Sequence, residues 1–179
     1  MKTKFYLLIF LILGLTSSLH AQELEKNKID DFTGKRTIET SWEKLAWGTG
    51  VPSGIYARIR SIDGTMILDM KYMISSACVI SKDNKLMLMD EKGKVHNLNP
   101  TDIFYGTIGG GSIGLAGSSG IGVYAHYYGN MNFLKNNKIT KIRIYTSDGY
   151  YEKEIKKKYQ ETLSKLFQLV VEAEYNKYQ

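Results

Sequence analysis

Apolar and polar residues alternate through much of the chain after residue 35, the signature of strands with one buried face. The clearest stretch is residues 55–72, IYARIRSIDGTMILDMKY. Asp63-Gly64 suits a two-residue type I′ turn, in which both positions take positive φ. That turn sets Ile62 opposite Thr65, Ile59 opposite Leu68, Ala57 opposite Met70 and Ile55 opposite Tyr72. One face then carries Ile55, Ala57, Ile59, Met66, Leu68, Met70 and Tyr72, while the other pairs Arg58 with Asp69. A slip of one residue would scramble this division, so the register is well specified.

A second hairpin is predicted over residues 139–155, turning at Asp148-Gly149. This turn sets Ser147 opposite Tyr150, Ile144 opposite Lys153, Arg143 opposite Glu154 and Ile142 opposite Ile155. A three-residue loop would instead oppose Arg143 and Lys153, two like charges. Shorter strands read at Cys78–Ile80, Leu86–Met89 and Val95–Leu98, joined by polar turns. The consecutive apolar residues 86–89 predict a strand covered on both faces. An early strand, RTIETSW (36–42), alternates Ile38, Thr40 and Trp42 against Thr37, Glu39 and Ser41; the pattern breaks at Leu45–Trp47, before the turn-rich GTGVPSG (48–54).

The last element changes period. Ile155, Tyr159, Leu163, Leu166, Val170 and Ala173 recur at steps of four and three, one helix face, which Phe167 and Val171 widen. Lys156, Lys157 and Lys158 at the start of this helix and Glu172 and Glu174 at its end oppose the macrodipole, so packing must stabilise it. The expected fold is α+β: a mainly antiparallel sheet, curved or two-layered, with one C-terminal amphipathic helix (156–173) packed on it. A polar lead (22–35) precedes this single domain (36–179).

Residues 1–21, MKTKFYLLIFLILGLTSSLHA, read as an address. Lys2 and Lys4 precede an apolar run from Phe5 to Leu15 and a polar end, the order of a secretory signal peptide cleaved after Ala21. An eleven-residue helix reaches about 16 Å against a hydrocarbon core of about 30 Å, too short to span. Cys78, the only cysteine, lies far from the cut, which excludes a lipid-bearing N-terminal cysteine. The mature chain is expected to be periplasmic or secreted, with no membrane span once the leader is removed.

Composition narrows the classes. The chain has 179 residues, 43% hydrophobic and 23% charged, with two prolines, which excludes a disordered or Pro-rich chain. One cysteine excludes a disulfide framework and any multi-cysteine metal site. Removing Lys2 and Lys4 from the 24 basic residues leaves 22 against 18 acidic ones. With export, that modest excess argues for solubility and against nucleic acid as a partner.

Candidate chemistry is sparse. GGGSIGLAGSSGIG (109–122) holds seven of the 17 glycines and matches G-x-G-x-x-G at 109–114. A dinucleotide site also needs a helix opening there and an acid about twenty residues on, and neither is present. Two uses fit: close packing of a strand against a neighbouring backbone, or a flexible lip beside a ligand site. His96 and His126 have no second ligand-type residue at metal spacing, Cys78 reads as a buried inert thiol, and no cofactor is expected. His126 offers a general base without an assigned nucleophile. Thirteen tyrosines and Trp42 and Trp47 are many for this length; they serve as β-core packing or as a ligand platform. The candidate ligand-binding residues are Trp42, Trp47, Tyr124, His126 and Tyr127, the last three within the aromatic strand VYAHYY (123–128).

The segments DDFTGKRTIETSWEKL, ending at Leu45, and KITKIRIYTSDGYYEKEIKKKY (138–159) resemble a group of small exported proteins of Bacteroidetes-type bacteria without a known activity. The resemblance implies export and a shared β-rich domain, and brings no functional residues with it. The expected function is therefore a non-enzymatic exported protein that binds a small molecule, a glycan or an envelope protein. An extracytoplasmic hydrolase using dispersed acids or His126, and a self-associating structural β protein, are the alternatives; the oligomeric state stays open.

Overall fold

In the computed structural model, residues 22–47, 54–74, 78–114 and 119–176 are described, with only the backbone of Trp47. The leader (1–21) and the expected turn at 48–53 lie outside them. In chain order the strands are β1 (Leu24–Ile29), β2 (Arg36–Thr40), β3 (Glu43–Trp47), β4 (Gly54–Ile62), β5 (Thr65–Met73), β6 (Val79–Ile80) and β7 (Leu86–Asp90). They continue as β8 (Val95–Pro100), β9 (Phe104–Tyr105), β10 (Thr107–Ile108), β11 (Ile121–Tyr128), β12 (Ile139–Thr146) and β13 (Gly149–Glu154), and α1 (Thr162–Tyr175) closes the chain.

The first hairpin forms as the alternation predicts. β4 and β5 pair with Ile55 opposite Tyr72, Ala57 opposite Met70, Arg58 opposite Asp69 and Ile62 opposite Thr65. Asp63 (φ +50°) and Gly64 (φ +82°) supply the two positive torsions of the turn. Around this pair an antiparallel sheet runs β1-β2-β4-β5-β11-β8-β7-β12-β13, with β3 also on β4 and β10 on β11; β6 and β9 form a separate two-stranded ladder. β11 meets β8 through two pairs, Tyr127–Pro100 and Tyr128–Asn99, joining two halves of the sheet. Both halves face one core: Ile38, Ile59 and Leu68 from one, Leu88, Leu98, Ile142 and Ile144 from the other, and Leu163, Leu166, Phe167 and Val170 from α1. The α+β architecture with a helix packed on a largely antiparallel sheet is thus present.

Several elements differ from expectation, each for a local reason. The polar lead contains an edge strand: β1 pairs with β2 and keeps Lys26 and Lys28, the charges that suit an exposed edge. Residues 43–47 are also a strand, reached through a bulge. Between Glu39–Arg60 and Glu43–Ala57 the chain advances four residues while β4 advances three. The extra residue turns Trp42 away from the face of Ile38 and Thr40.

The second hairpin forms two residues out of the expected register. Thr146 opposes Gly149, Tyr145 opposes Tyr150, Arg143 opposes Glu152 and Ile142 opposes Lys153. A shift of two keeps every side chain on its face, so burial does not oppose it. Arg143 Nε then donates to Glu152 Oε2 at 2.7 Å, and the Arg143 guanidinium lies 4.5 Å from the Tyr150 ring centroid. The turn residues are Ser147-Asp148, and Gly149 takes φ +113° with open space around it. Gly149→Ala should therefore cost about 1–2 kcal/mol through backbone strain alone; urea unfolding measures it, and an unchanged midpoint would contradict this turn.

In β7, Leu86 and Leu88 are buried but Met87 and Met89 only half-buried, so one face is fully covered rather than both. α1 begins at Thr162, not 156, because Ile155 still donates to Thr140 O and Lys157–Tyr159 form a 3-10 turn. The lysine triplet thus precedes the helix. Glu161 sits at its N-terminus, paired with Lys138 (2.6 Å) and Lys165 (3.4 Å), as the dipole favours. Leu163, Leu166, Phe167, Val170 and Ala173 are buried, whereas Val171 is 37% exposed. At about 100° per residue it falls on the flank of the stripe rather than within it.

The described residues of the glycine stretch, 109–114 and 119–122, lie outside any helix. A Cβ at Gly122 would meet Gly111 N at 2.4 Å and Tyr72 O at 2.9 Å, and one at Gly110 would meet Gly122 O at 2.4 Å. Close backbone packing against β5 and β11 is the use Gly110, Gly111 and Gly122 serve, whereas Gly114 takes φ +57° in open space; residues 115–118 lie outside the described set.

Candidate functional site

Strand parity places Glu39, Arg58, Arg60, Asp69, Lys71, Tyr124 and His126 on the sheet face opposite the core. The pairings Arg58–Asp69 and His126–Asp69 make a row across β4, β5 and β11, with Tyr56–Lys71 and Tyr124–Lys71 as the next row. Asp69 is the centre of this patch and has no exposed surface. Its Oδ2 accepts Arg58 Nε at 2.9 Å and the Tyr124 hydroxyl at 3.3 Å. Its Oδ1 accepts Arg60 Nη2 at 3.1 Å and His126 Nδ1 at 2.7 Å. Four donors occupy the two oxygens of an ionised carboxylate.

Burial works to raise the Asp69 pKa, but the His126 bond, the Arg60 and His126 charges and the Arg58 bond outweigh it, and the carboxyl is held below its ordinary value. Arg58 extends the network. Its Nη1 donates to Glu39 Oε2 at 2.8 Å and its Nη2 to the Tyr124 hydroxyl at 3.1 Å. Burial works to lower the Arg58 pKa, yet the bond and charge of Asp69 raise it. Burial, then the Asp69 charge, push the Tyr124 phenol up. An ionised Asp69 requires Nδ1 of His126 to carry the proton, so a neutral imidazole leaves Nε2 as its acceptor.

Aromatic rings stand over these charges. Trp42 and Tyr124 meet edge-to-face with centroids 5.6 Å apart. Tyr124 and His126 are 4.5 Å apart, and Phe104 meets the other side of the row at 5.3 Å from His126. Arg58 lies 4.8 Å and Lys71 Nζ 4.7 Å from the Trp42 centroid, cation–π distances. Such a patch holds its rings in fixed orientation while Trp42 and Tyr124 keep part of their surface open.

The structure brings three of the five candidate residues together: Trp42, Tyr124 and His126. Tyr127 lies on the same strand with the opposite parity, fully buried in the core, where its hydroxyl adjoins that of Tyr72. The backbone of Trp47 opposes Gly54, and its side chain lies outside the described set. Glu39, Arg60, Lys71 and Phe104 were not anticipated. The parity of the first hairpin places Arg60 with Arg58 and Lys71 with Asp69; the approach of Phe104 has no sequence signal.

His96 Nε2 contacts Asp90 Oδ2 at 2.9 Å and its ring stacks on Phe133 at 4.0 Å. Cys78 is buried, and burial, with the Asp148 charge, pushes its thiol up. Among the described residues no three His, Cys, Asp or Glu side chains group as a metal site, and no helix is long and apolar enough to cross a membrane. Compared with protein-family models, curated proteins and solved structures, the chain matches none.

Proposed function

We propose that the chain is an exported, non-enzymatic protein that binds a ligand or envelope component against the corner formed by Trp42 and Tyr124. The observation that carries this reading is the convergence of two part-exposed rings on a buried network of charges, 5.6 Å apart and clamped by Arg58, Asp69 and Lys71. Rings already held in place offer apolar area at little further loss of side-chain freedom. Export is supported by the leader, and a cut after Ala21 leaves β1 whole.

A thermal-shift screen of residues 22–179 against glycans and small envelope metabolites tests the reading. A ligand at one hundred times its Kd adds about 2.7 kcal/mol, or roughly 5–10 °C for a chain of this size. The shift should vanish in Trp42→Ala while its circular dichroism stays native. A shift that survives Trp42→Ala would place binding elsewhere.

One observation favours a second reading, an extracytoplasmic hydrolase. The 2.7 Å contact between Asp69 and His126 Nδ1 orients the imidazole as a base would be oriented. Turnover by the purified protein that disappears in His126→Gln, with ligand affinity kept, would establish it over simple binding.

A further inference from the structure

We infer that this corner recognises an anionic saccharide, a sugar ring bearing a carboxylate or sulfate, with the anion seated against Lys71. The inference rests on the reading above that this face holds the ligand. Its basis is a charge that the network leaves over. Asp69 is taken up by Arg58 and Arg60, and Glu39 by Arg58 and Lys26. Lys71 makes no ion pair among the described residues; its ammonium instead lies between rings, 4.7 Å from Trp42 and 5.2 Å from Tyr124. It is half-buried and next to the Arg58 cation, and the attraction of Glu25 and Asp69 only partly offsets those two effects. An arriving anion relieves both the lost hydration and the repulsion. The rings beside it select a ligand with an apolar face, which a pyranose has and a bare ion lacks.

The surroundings suit a chain of such units. Arg58 reaches Glu39 at 2.8 Å and Glu25 at 4.0 Å. Both also border an open, shallow surface with Lys26, Asn27 and Lys28. A longer ligand would extend over it toward Lys28 and the Glu39-paired Lys26. Glu25 and Glu39 interrupt the positive charge, so an arbitrary polyanion gains less than one whose charges match the spacing.

Isothermal titration of residues 22–179 decides the matter, with oligogalacturonate, a heparin-derived tetrasaccharide, an uncharged tetrasaccharide and sodium sulfate as probes. One of the two acidic saccharides should bind at least tenfold more tightly than the uncharged one and than free sulfate. Lys71→Gln should weaken it at least tenfold with its melting temperature little changed, and Lys71→Arg should restore most of the affinity. Equal binding of the uncharged saccharide, or unchanged affinity in Lys71→Gln, overturns the inference and leaves the ligand face standing. Free sulfate binding as tightly overturns the saccharide assignment. Silence from all four also overturns it, and a Trp42-dependent stabilisation by any other compound then judges the ligand face separately.

Discussion

Asp69→Ala should lower the melting temperature by about 6–20 °C, the largest loss expected from any polar substitution here. The carboxylate is wholly buried and is the shared acceptor of Arg58 and Arg60, whose side chains are 13% and 19% exposed. Removing it strands Arg60, leaves Arg58 with Glu39 as its near carboxylate, and deprives the Tyr124 hydroxyl and the His126 Nδ1–H of their acceptor. Breaking a buried pair from one side costs about 3–5 kcal/mol, and each kcal/mol moves the midpoint by about 2–4 °C at this chain length. The effect has a pH signature. Because the folded pKa of Asp69 lies below its ordinary value of 3.8, its contribution is complete above that value and is lost as pH falls through the folded pKa. The gap between wild type and Asp69→Ala should therefore be widest near pH 6 and shrink on acidification toward pH 3. Calorimetry at both pH values checks this; a gap that stays constant would mean that folding does not lower the Asp69 pKa.

Gly122→Ala should cost about 3 kcal/mol, at the upper end of overpacking effects. The added carbon would meet Gly111 N and Cα at 2.4 and 2.6 Å and Tyr72 O at 2.9 Å, all of them backbone atoms. Gly54→Ala is the control, because its close contact is the Tyr56 ring, a side-chain end that can swing aside. Urea unfolding of both should show a markedly larger loss for Gly122→Ala. Equal losses would mean that the glycine stretch is loosely seated on the sheet.

The first hairpin is legible because two independent signals agree there: Asp63-Gly64 selects the turn, and the alternation on both arms selects the same register. The second hairpin shows where such reading stops. A shift of two leaves every face unchanged, so alternation cannot choose, and the choice falls to the Arg143–Glu152 and Tyr145–Tyr150 pairs. β1 is invisible because an exposed edge strand has no buried face to advertise. Trp42 lands on the outer face through one extra residue, which no hydrophobic pattern records.

The candidate site divides along the same line. Arg58 and Asp69 are readable as partners across a local turn. His126 joins them only through the pairing of β5 with β11, which no local pattern encodes. VYAHYY carries aromatics on both faces, so it cannot say by itself that Tyr124 and His126 face outward and Tyr127 inward. That is decided by the opposite strand, where Leu68 faces Tyr127 and Asp69 faces His126.

The most direct test follows the Trp42 indole N–H in a nitrogen-15 NMR titration of residues 22–179 with the ligand that most stabilises the protein. This resonance and the amides of Arg58, Lys71 and Tyr124 should move together and saturate at one affinity. Shifts confined to Met87, Met89 and Val95, which line a shallow cavity of about 90 Å³ on the other half of the sheet, with the Trp42 signal unmoved, would contradict it.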